Sequence, residues 1–173
     1  MSTFDHPAIG KVAAALAEAG QSRAADGIRI LPAEVRTAAQ AADALGVEPG
    51  AIANSLVFRA VYPGRVEALL ALTSGAHRAD TTLLAALVGA TEVGKADPAF
   101  VKQSTGQVIG GVAPVGHPAP LTTLVDTALR AHDVVWAAAG HAKSVFPTTF
   151  DELLALTGGR AADVAGDGQD TQP

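Results

Sequence analysis

Two apolar segments joined by a tight turn are the feature of this sequence that most limits its fold. Residues 54–61 (NSLVFRAV) and 66–75 (VEALLALTSG) read as strands, and YPGR (62–65) connects them. Proline followed by glycine at the two central positions specifies a type II turn, which predicts a β-hairpin. The second strand is apolar on both faces, so it is predicted to be a central strand covered on each side.

The rest of the chain alternates between helical and extended patterns. Helices are predicted from apolar spacing and capping residues at 7–19, 37–46, 81–88, 98–106, 124–131 and 150–156. Further strands are predicted at 27–32, 107–116 and 133–140. This order predicts an α+β fold, with a mixed, partly barrel-like β-sheet and helices around it.

Polar residues at predicted helix starts favour structural roles. Thr37 with Gln40 and Thr149 with Glu152 form capping boxes, and Asp80 and Asp97 are single capping residues. Asp126 is expected to cap or pair rather than catalyse, and Trp136 is expected to lie in the core.

Length and composition predict one folded domain. The chain has 173 residues, 49% hydrophobic and 17% charged, as in globular proteins. We expect a single domain over residues 1–158 and a flexible polar tail over 159–173. The chain has no cysteine, which excludes disulfides, thiolate zinc sites and a cysteine nucleophile.

Charge and hydropathy limit the expected partners. No apolar run approaches the ~20 residues of a membrane helix, and the segment around Asp5 is unlike a signal peptide, so a cytoplasmic protein is expected. The net charge is −5, from 12 Lys and Arg against 17 Asp and Glu, without a basic cluster. Because binding along a nucleic-acid backbone needs a basic face, we expect no DNA binding and RNA contact only at a short end.

The most unusual stretch is STGQVIGGVAPVGH (104–117), and its central part, residues 107–116, is called the glycine-rich segment below. Glycine within a strand marks a bulge or the close approach of a ligand or another backbone. The N–H groups of such a segment bind carboxylates, phosphates or developing oxyanions. The spacing matches neither a dinucleotide-binding fingerprint nor a P-loop, so a bulged strand and a ligand loop both remain open.

Two histidines and a lysine near predicted strand ends are further candidates. His117 follows the glycine-rich segment, and His141 follows Gly140 at the end of a predicted strand. Each is a candidate for binding ribose or amino acid, or for assisting a water molecule, with an exposed loop histidine as the alternative. Lys143 is either a cation near this site or a solvated surface residue. No paired carboxylates accompany the histidines, so no metal site is predicted.

Several segments, from about residue 37 to 156, together resemble the YbaK/prolyl-tRNA synthetase editing-domain family. STGQVIGGVAPVG is similar to that family's Thr-Gly pair followed by Gly-x-x-x-Pro. The match is supported by IANSLVF, Gly75, Asp80, ADP (96–98) and Asp126. The resemblance implies a trans-acting aminoacyl-tRNA deacylase without cofactor or metal. Its substrate would be a small amino acid esterified to the wrong tRNA, typically tRNA-Pro. Its partners would be the aminoacylated tRNA 3′ end and, as further candidates, a synthetase or an elongation factor.

The resemblance also implies which residues form the site. The residues expected to act on the ester are Asn54, Gly110, Gly111 and Pro114. Those expected to bind substrate are Thr37, Gly75, Thr105, Gly106, His117, Gly140 and His141.

Asn54 departs from the family, which usually carries lysine at the matching position. Asparagine supplies no charge, although it donates and accepts hydrogen bonds. Three interpretations remain open: a polar substitute in a working site, a lost group in a binding or regulatory module, and a structural asparagine outside the site. A hydrolase acting on a free amino-acid ester or amide is a further alternative, because the glycine-rich segment does not specify tRNA.

Overall fold

The computed structural model describes residues 6–32 and 37–165. Six α-helices lie in this part of the chain: α1 (Pro7–Glu18), α2 (Ser22–Asp26), α3 (Ala38–Leu45), α4 (Thr81–Val88), α5 (Pro98–Thr105) and α6 (Phe150–Thr157). Its strands are β1 (Arg29–Ile30), β2 (Ile52–Tyr62), β3 (Arg65–Ser74), β4 (Glu92–Lys95), β5 (Thr122–Asp126), β6 (Val135–Ala138), β7 (Ser144–Thr148) and β8 (Arg160–Ala162).

The strands form one mixed sheet in the order β1-β7-β6-β2-β3-β5-β8, with β4 also paired to β2. β2 and β3 form the predicted hairpin, and Gly64 has the positive φ, +80°, that a type II turn requires. The β2–β6, β3–β5 and β5–β8 pairs are parallel, and the others are antiparallel. The predicted α+β fold with a mixed sheet and surrounding helices is confirmed.

Both faces of β3 are buried, as its sequence predicts. Leu70 and Leu72 face a core formed with α1, α2 and α6. Leu69 and Ala71 face a second core, in which Leu84 of α4 packs. Alternate residues of a strand point to opposite faces, so an apolar strand of this kind is stable only between two layers.

β2 leaves a gap on one of its edges. β3 occupies one edge along the length of β2, whereas β6 and β4 share the other. β6 pairs with Ile52 and Ala53, and β4 pairs with residues 58–61. Within the described part of the chain, residues 54–57 therefore have no strand on this edge, and Asn54 begins the gap.

The predicted helix caps are present. In each case, a side-chain oxygen accepts a backbone N–H of the first turn: Thr37 from Gln40, Asp80 from Thr82 and Leu83, Asp97 from Phe100, and Thr149 from Glu152. These bonds satisfy N–H groups that have no partner within the helix.

The prediction of a strand at 107–116 is wrong. The glycine-rich segment is a loop in which Gly110 and Gly116 have φ of +97° and +85°, outside the strand region. Its backbone is held by the buried side chain of Gln107, which accepts the Ala113 N–H at 2.7 Å and donates to the Val115 carbonyl at 3.0 Å. The Gln107 side chain thus makes hydrogen bonds to the backbone that a neighbouring strand would make in a sheet.

Two further predictions need correction. Residues 124–131 do not form an α-helix: they complete β5 and continue into a 3-10 turn, Thr127–Ala131, which Asp126 caps. The tail does not become irregular at 159, because β8 pairs in parallel with β5 and Val164 is buried. Residues 166–173 of the expected tail lie outside the described residues. The sequence predictions also missed α2, β4 and β7.

Candidate active site

A small cleft lies between the first turns of α3 and the sheet face formed by β2, β6 and β7. Gly110 and Val112 of the glycine-rich segment and the turn at His141 border it. Its cavity volume is about 90 Å³. Four of the predicted site residues line this one cleft: Thr37, Asn54, Gly110 and His141.

Asn54 presents its side chain to this cleft. It is the third residue of β2, lies opposite Thr73 of β3 and is exposed. Its amide has no hydrogen-bond partner among residues 6–32 and 37–165. The side chain therefore makes none of the turn or capping bonds that account for most structural asparagines.

The glycine-rich segment offers backbone donors to the cleft, although not those expected. Gly111 is buried against the backbone of His141 and Ala142, and its N–H donates to the Val108 carbonyl at 3.1 Å. By contrast, the N–H groups of Gly110 and Val112 have no partner in the described part of the chain. Since both residues line the cleft, theirs are the donors available to a ligand.

His141 is held in one orientation. Its Nδ1 accepts the Lys143 backbone N–H at 3.0 Å, so the neutral ring carries its proton on Nε2. The His6 ring meets it edge to face, with 4.7 Å between centroids, and His6 itself caps α1 by accepting the Ala8 N–H. The sequence did not indicate His6, because the contact joins residues far apart in the chain. Lys143 contributes its backbone here, and its side chain does not line the cleft.

The other predicted substrate-binding residues lie away from the cleft. Gly75 packs under Pro49 and Ala38, and Gly140 packs against the Ala8 carbonyl of α1. Thr105 is buried and bonds within its own chain segment, and Gly106 ends α5 in the left-handed conformation. These positions support the walls of the site rather than its surface.

Pro114 and His117 line a different hollow, beside the end of α1. The His117 Nε2–H donates to the Ala113 carbonyl at 2.8 Å, which braces the glycine-rich segment from behind. Burial of the ring lowers its pKa below the ordinary value near 6.5, and the hydrogen bond opposes this only in part.

Acidification is expected to destabilise the protein through His117. Because its folded-state pKa is lowered, the unfolded chain takes up the proton first as the pH falls. The stability that this residue contributes is complete above about pH 6.5 and is lost as the pH falls toward the folded-state pKa. Urea unfolding at about pH 7.5 and 5.5 should show a smaller loss for His117→Gln than for the wild type. If both proteins lose the same free energy of unfolding between these pH values, His117 is not the source of the pH dependence.

Two cleft residues were not predicted as such. The Ser55 hydroxyl oxygen is buried and has no hydrogen-bond partner among the described residues, although Ser55 lines the cleft. Trp136 is only half-buried: it packs on α3 and also borders the cleft, rather than lying wholly in the core. For Ser55, the sequence signal was a serine within an apolar strand. For Trp136, no feature of the sequence distinguishes a core residue from one that lines a cleft.

No group of three or more metal-ligating side chains lies together in residues 6–32 and 37–165. The helices in those ranges are too short or too polar to cross a membrane. Of the described residues that line the cleft, none is a carboxylate, lysine or arginine, and His141 is the titratable side chain among them.

Comparison with known proteins agrees with the resemblance in sequence. Residues 32–156 match the aminoacyl-tRNA editing domain family. A solved structure described as a candidate trans-editing enzyme for prolyl-tRNA synthetase is 39% identical, with a TM-score of 0.81 over 94% of this chain and 99% of that one. An epitope-grafting scaffold protein is 40% identical, with a TM-score of 0.83 over the same shares. A hypothetical protein is 27% identical, with a TM-score of 0.77 over 89% and 98%.

The family match spans the glycine-rich segment and the elements that form the cleft, and the structural matches cover nearly the whole fold. The chain therefore belongs to the aminoacyl-tRNA editing domain family, of the YbaK/prolyl-tRNA synthetase-associated type.

Proposed function

We propose that this protein is a trans-acting deacylase that hydrolyses a small amino acid esterified to the wrong tRNA, with mischarged tRNA-Pro as the first candidate. The observation that carries the proposal is the meeting of Asn54, Gly110 and His141 in one cleft. The Ser55 hydroxyl supports it, because a buried polar atom normally has a hydrogen-bond partner and this one has none among the described residues.

The reaction needs little beyond positioning and charge stabilisation. Water attacks the ester carbonyl carbon, and the carbonyl oxygen becomes an oxyanion that the N–H groups of Gly110 and Val112 are available to bind. Collapse breaks the bond to the ribose oxygen, which takes up a proton, and releases the amino acid and the tRNA. The Asn54 amide would orient the ester, and His141 would donate to the ribose or amino acid through Nε2–H.

The size of the cleft favours a small amino acid. Its volume, about 90 Å³, is below the roughly 150 Å³ of an engineered protein cavity that holds benzene. Alanine, serine and cysteine side chains are compatible with this space. One methylene changes binding by only about 1–3 kcal/mol. A larger amino acid on its correct tRNA would therefore be spared because it does not fit the cleft, rather than because it binds slightly more weakly.

The acidic surface favours contact with the aminoacylated 3′ end rather than with the tRNA body. We propose a cytoplasmic protein whose weak tRNA binding is assisted by a synthetase or an elongation factor. The direct test is loss of the ester from Ala-, Ser- and Cys-charged tRNA-Pro and from other mischarged tRNAs. Hydrolysis no faster than without protein across the panel would overturn the deacylase proposal.

Asn54→Ala is expected to lower kcat/KM for the best substrate of that panel by about 10-fold, the value of one good hydrogen bond in a site. Thr122→Ala, at an exposed position on β5, is the control and should retain wild-type activity. Wild-type kinetics in Asn54→Ala would exclude the amide from the reaction.

A binding or regulatory module is the second candidate, favoured by the absence of a charged side chain at position 54. It predicts binding of aminoacyl-tRNA without turnover. Asn54→Lys separates the two: hydrolysis gained only in this variant would favour the binding module. Hydrolysis by the wild type would exclude it. Inhibition of hydrolysis by uncharged tRNA would separate a tRNA deacylase from a hydrolase of free esters or amides.

A further inference from the structure

Arg29 points to the same face of the sheet as Asn54. In the strand register, Arg29 of β1 is opposite Val145 of β7, and Val145 is opposite Ala138 of β6. Continuing the parallel β2–β6 register by one residue sets Ala138 beside Asn54. Paired residues share a face, and Ala138 and Asn54 each lie two residues beyond the Trp136–Ile52 pair, so these four residues lie on one face of the sheet. They form one row, whose last step, from Ala138 to Asn54, lies just past the β2–β6 pairing.

The middle of this row is the floor of the cleft. Ala138 and Val145 both line it, and both are small and apolar. Three strand spacings of about 4.8 Å place the Cα atoms of Arg29 and Asn54 about 14 Å apart. Asn54 is thus at one end of an open floor and Arg29 lies just beyond the other end.

The Arg29 guanidinium lies over the ring of Trp136, a residue of the cleft wall. The guanidinium carbon lies 5.4 Å from the centroid of the Trp136 ring, and this ring is part of the cleft wall. The side chain of Arg29 has no hydrogen-bond or ion-pair partner in residues 6–32 and 37–165. A guanidinium on an aromatic face keeps its N–H edge available for an anion.

We propose that Arg29 binds the phosphate on the 5′ side of the aminoacylated terminal nucleotide, an inference that rests on the proposed deacylase function. The ester would lie near Gly110 and Asn54, and one nucleoside separates it from that phosphate. Arginine binds phosphate oxygens through paired charged hydrogen bonds. Within the described part of the chain, no carboxylate lines the cleft to oppose a phosphate there. Arg29 therefore supplies, from the other end of the row, the positive charge that position 54 lacks.

Two stable analogues test this directly: 3′-alanylamino-3′-deoxyadenosine with and without a 5′-phosphate, whose amide resists hydrolysis. Titration calorimetry with the wild type should show about 10- to 100-fold tighter binding of the phosphorylated analogue, the range expected for a charged hydrogen bond. Arg29→Gln should bind the two analogues equally, and Arg29→Lys should keep part of the difference. No binding of the phosphorylated analogue, or equal discrimination in Arg29→Gln, would overturn the proposal.

Arg65→Gln is the matched control. Arg65 also stands over an aromatic ring, that of Tyr62, but at the hairpin turn. The Arg65→Gln variant should discriminate between the analogues as the wild type does, although it loses the same single positive charge as Arg29→Gln. If Arg65→Gln loses discrimination as Arg29→Gln does, the effect is one of net charge and the proposal fails.

Salt dependence with tRNA gives a second readout. The slope of log affinity for an uncharged tRNA against log salt should fall by about 0.7 in Arg29→Gln, the value for one phosphate contact on a single strand. An unchanged slope would contradict a phosphate contact. These binding results are separate from turnover: a wild type that discriminates for phosphate yet hydrolyses no ester would refute the deacylase function while leaving the phosphate subsite in place.

Discussion

Gly111→Ala is expected to lower deacylation of a mischarged tRNA by about 100-fold, comparable to the loss of an oxyanion donor. A Cβ at this position would lie 2.6 Å from the His141 carbonyl carbon and 2.8 Å from both the His141 Cα and the Ala142 nitrogen. These are backbone atoms of a packed turn and cannot swing aside. The glycine-rich segment must therefore shift, which moves the N–H groups of Gly110 and Val112 away from the position proposed for the ester.

Gly94→Ala is the control, because an added Cβ there meets nothing within 4 Å and activity should be unchanged. The free energy of unfolding of Gly111→Ala should fall by about 1–3 kcal/mol, as for other overpacked positions, which leaves a folded protein to assay. Kinetics within a factor of two of the wild type would show that the close packing of the segment on His141 does not position the reaction.

Asp126→Ala is expected to give the largest loss of stability, about 3 kcal/mol, without altering the cleft. The carboxylate is fully buried and accepts three bonds: from the Ser74 N–H at 3.0 Å, the Ala128 N–H at 3.0 Å and His77 Nδ1 at 3.1 Å. Alanine would leave the buried Ser74 N–H and the partly buried Ala128 N–H without partners, at about 1–3 kcal/mol each when fully buried. Urea unfolding measures the loss.

Asp97→Ala provides the comparison, since it removes one bond at the exposed start of α5, the Phe100 N–H at 2.8 Å. It should cost about 1 kcal/mol, the usual value of a helix cap. Equal losses in the two variants would show that burial of Asp126 does not raise its contribution. Asp126→Ala should keep its activity per folded molecule, because Asp126 does not line the cleft.

Most of the fold could be predicted because its signals are local. The turn at Pro63 and Gly64 specified the hairpin, and the caps at Thr37, Asp80, Asp97 and Thr149 marked four helix starts. The prediction was wrong where a short apolar run fits more than one structure. Residues 124–131 have helical spacing, but their place beside β3 makes the first part a strand.

The candidate site could be predicted only in outline. The family motif located Gly110, and the departure from the family located Asn54, but nothing in the sequence separates residues that line the cleft from those that support it. Gly75 and Gly140 were expected to bind substrate, yet each is glycine because a neighbouring backbone lies where a Cβ would be. Such close approaches exist only once the elements have packed.

The sequence by itself determined the hairpin, the apolar layers on both faces of β3, the helix caps and the family, because each depends on neighbouring residues or on their order. Tertiary structure alone decided which donors remain free in the glycine-rich segment, that His6 contacts His141, and that Arg29 stands in one row with Asn54. These facts depend on strand register and on contacts between distant parts of the chain. An exposed arginine on a two-residue strand carries no local signal of that position.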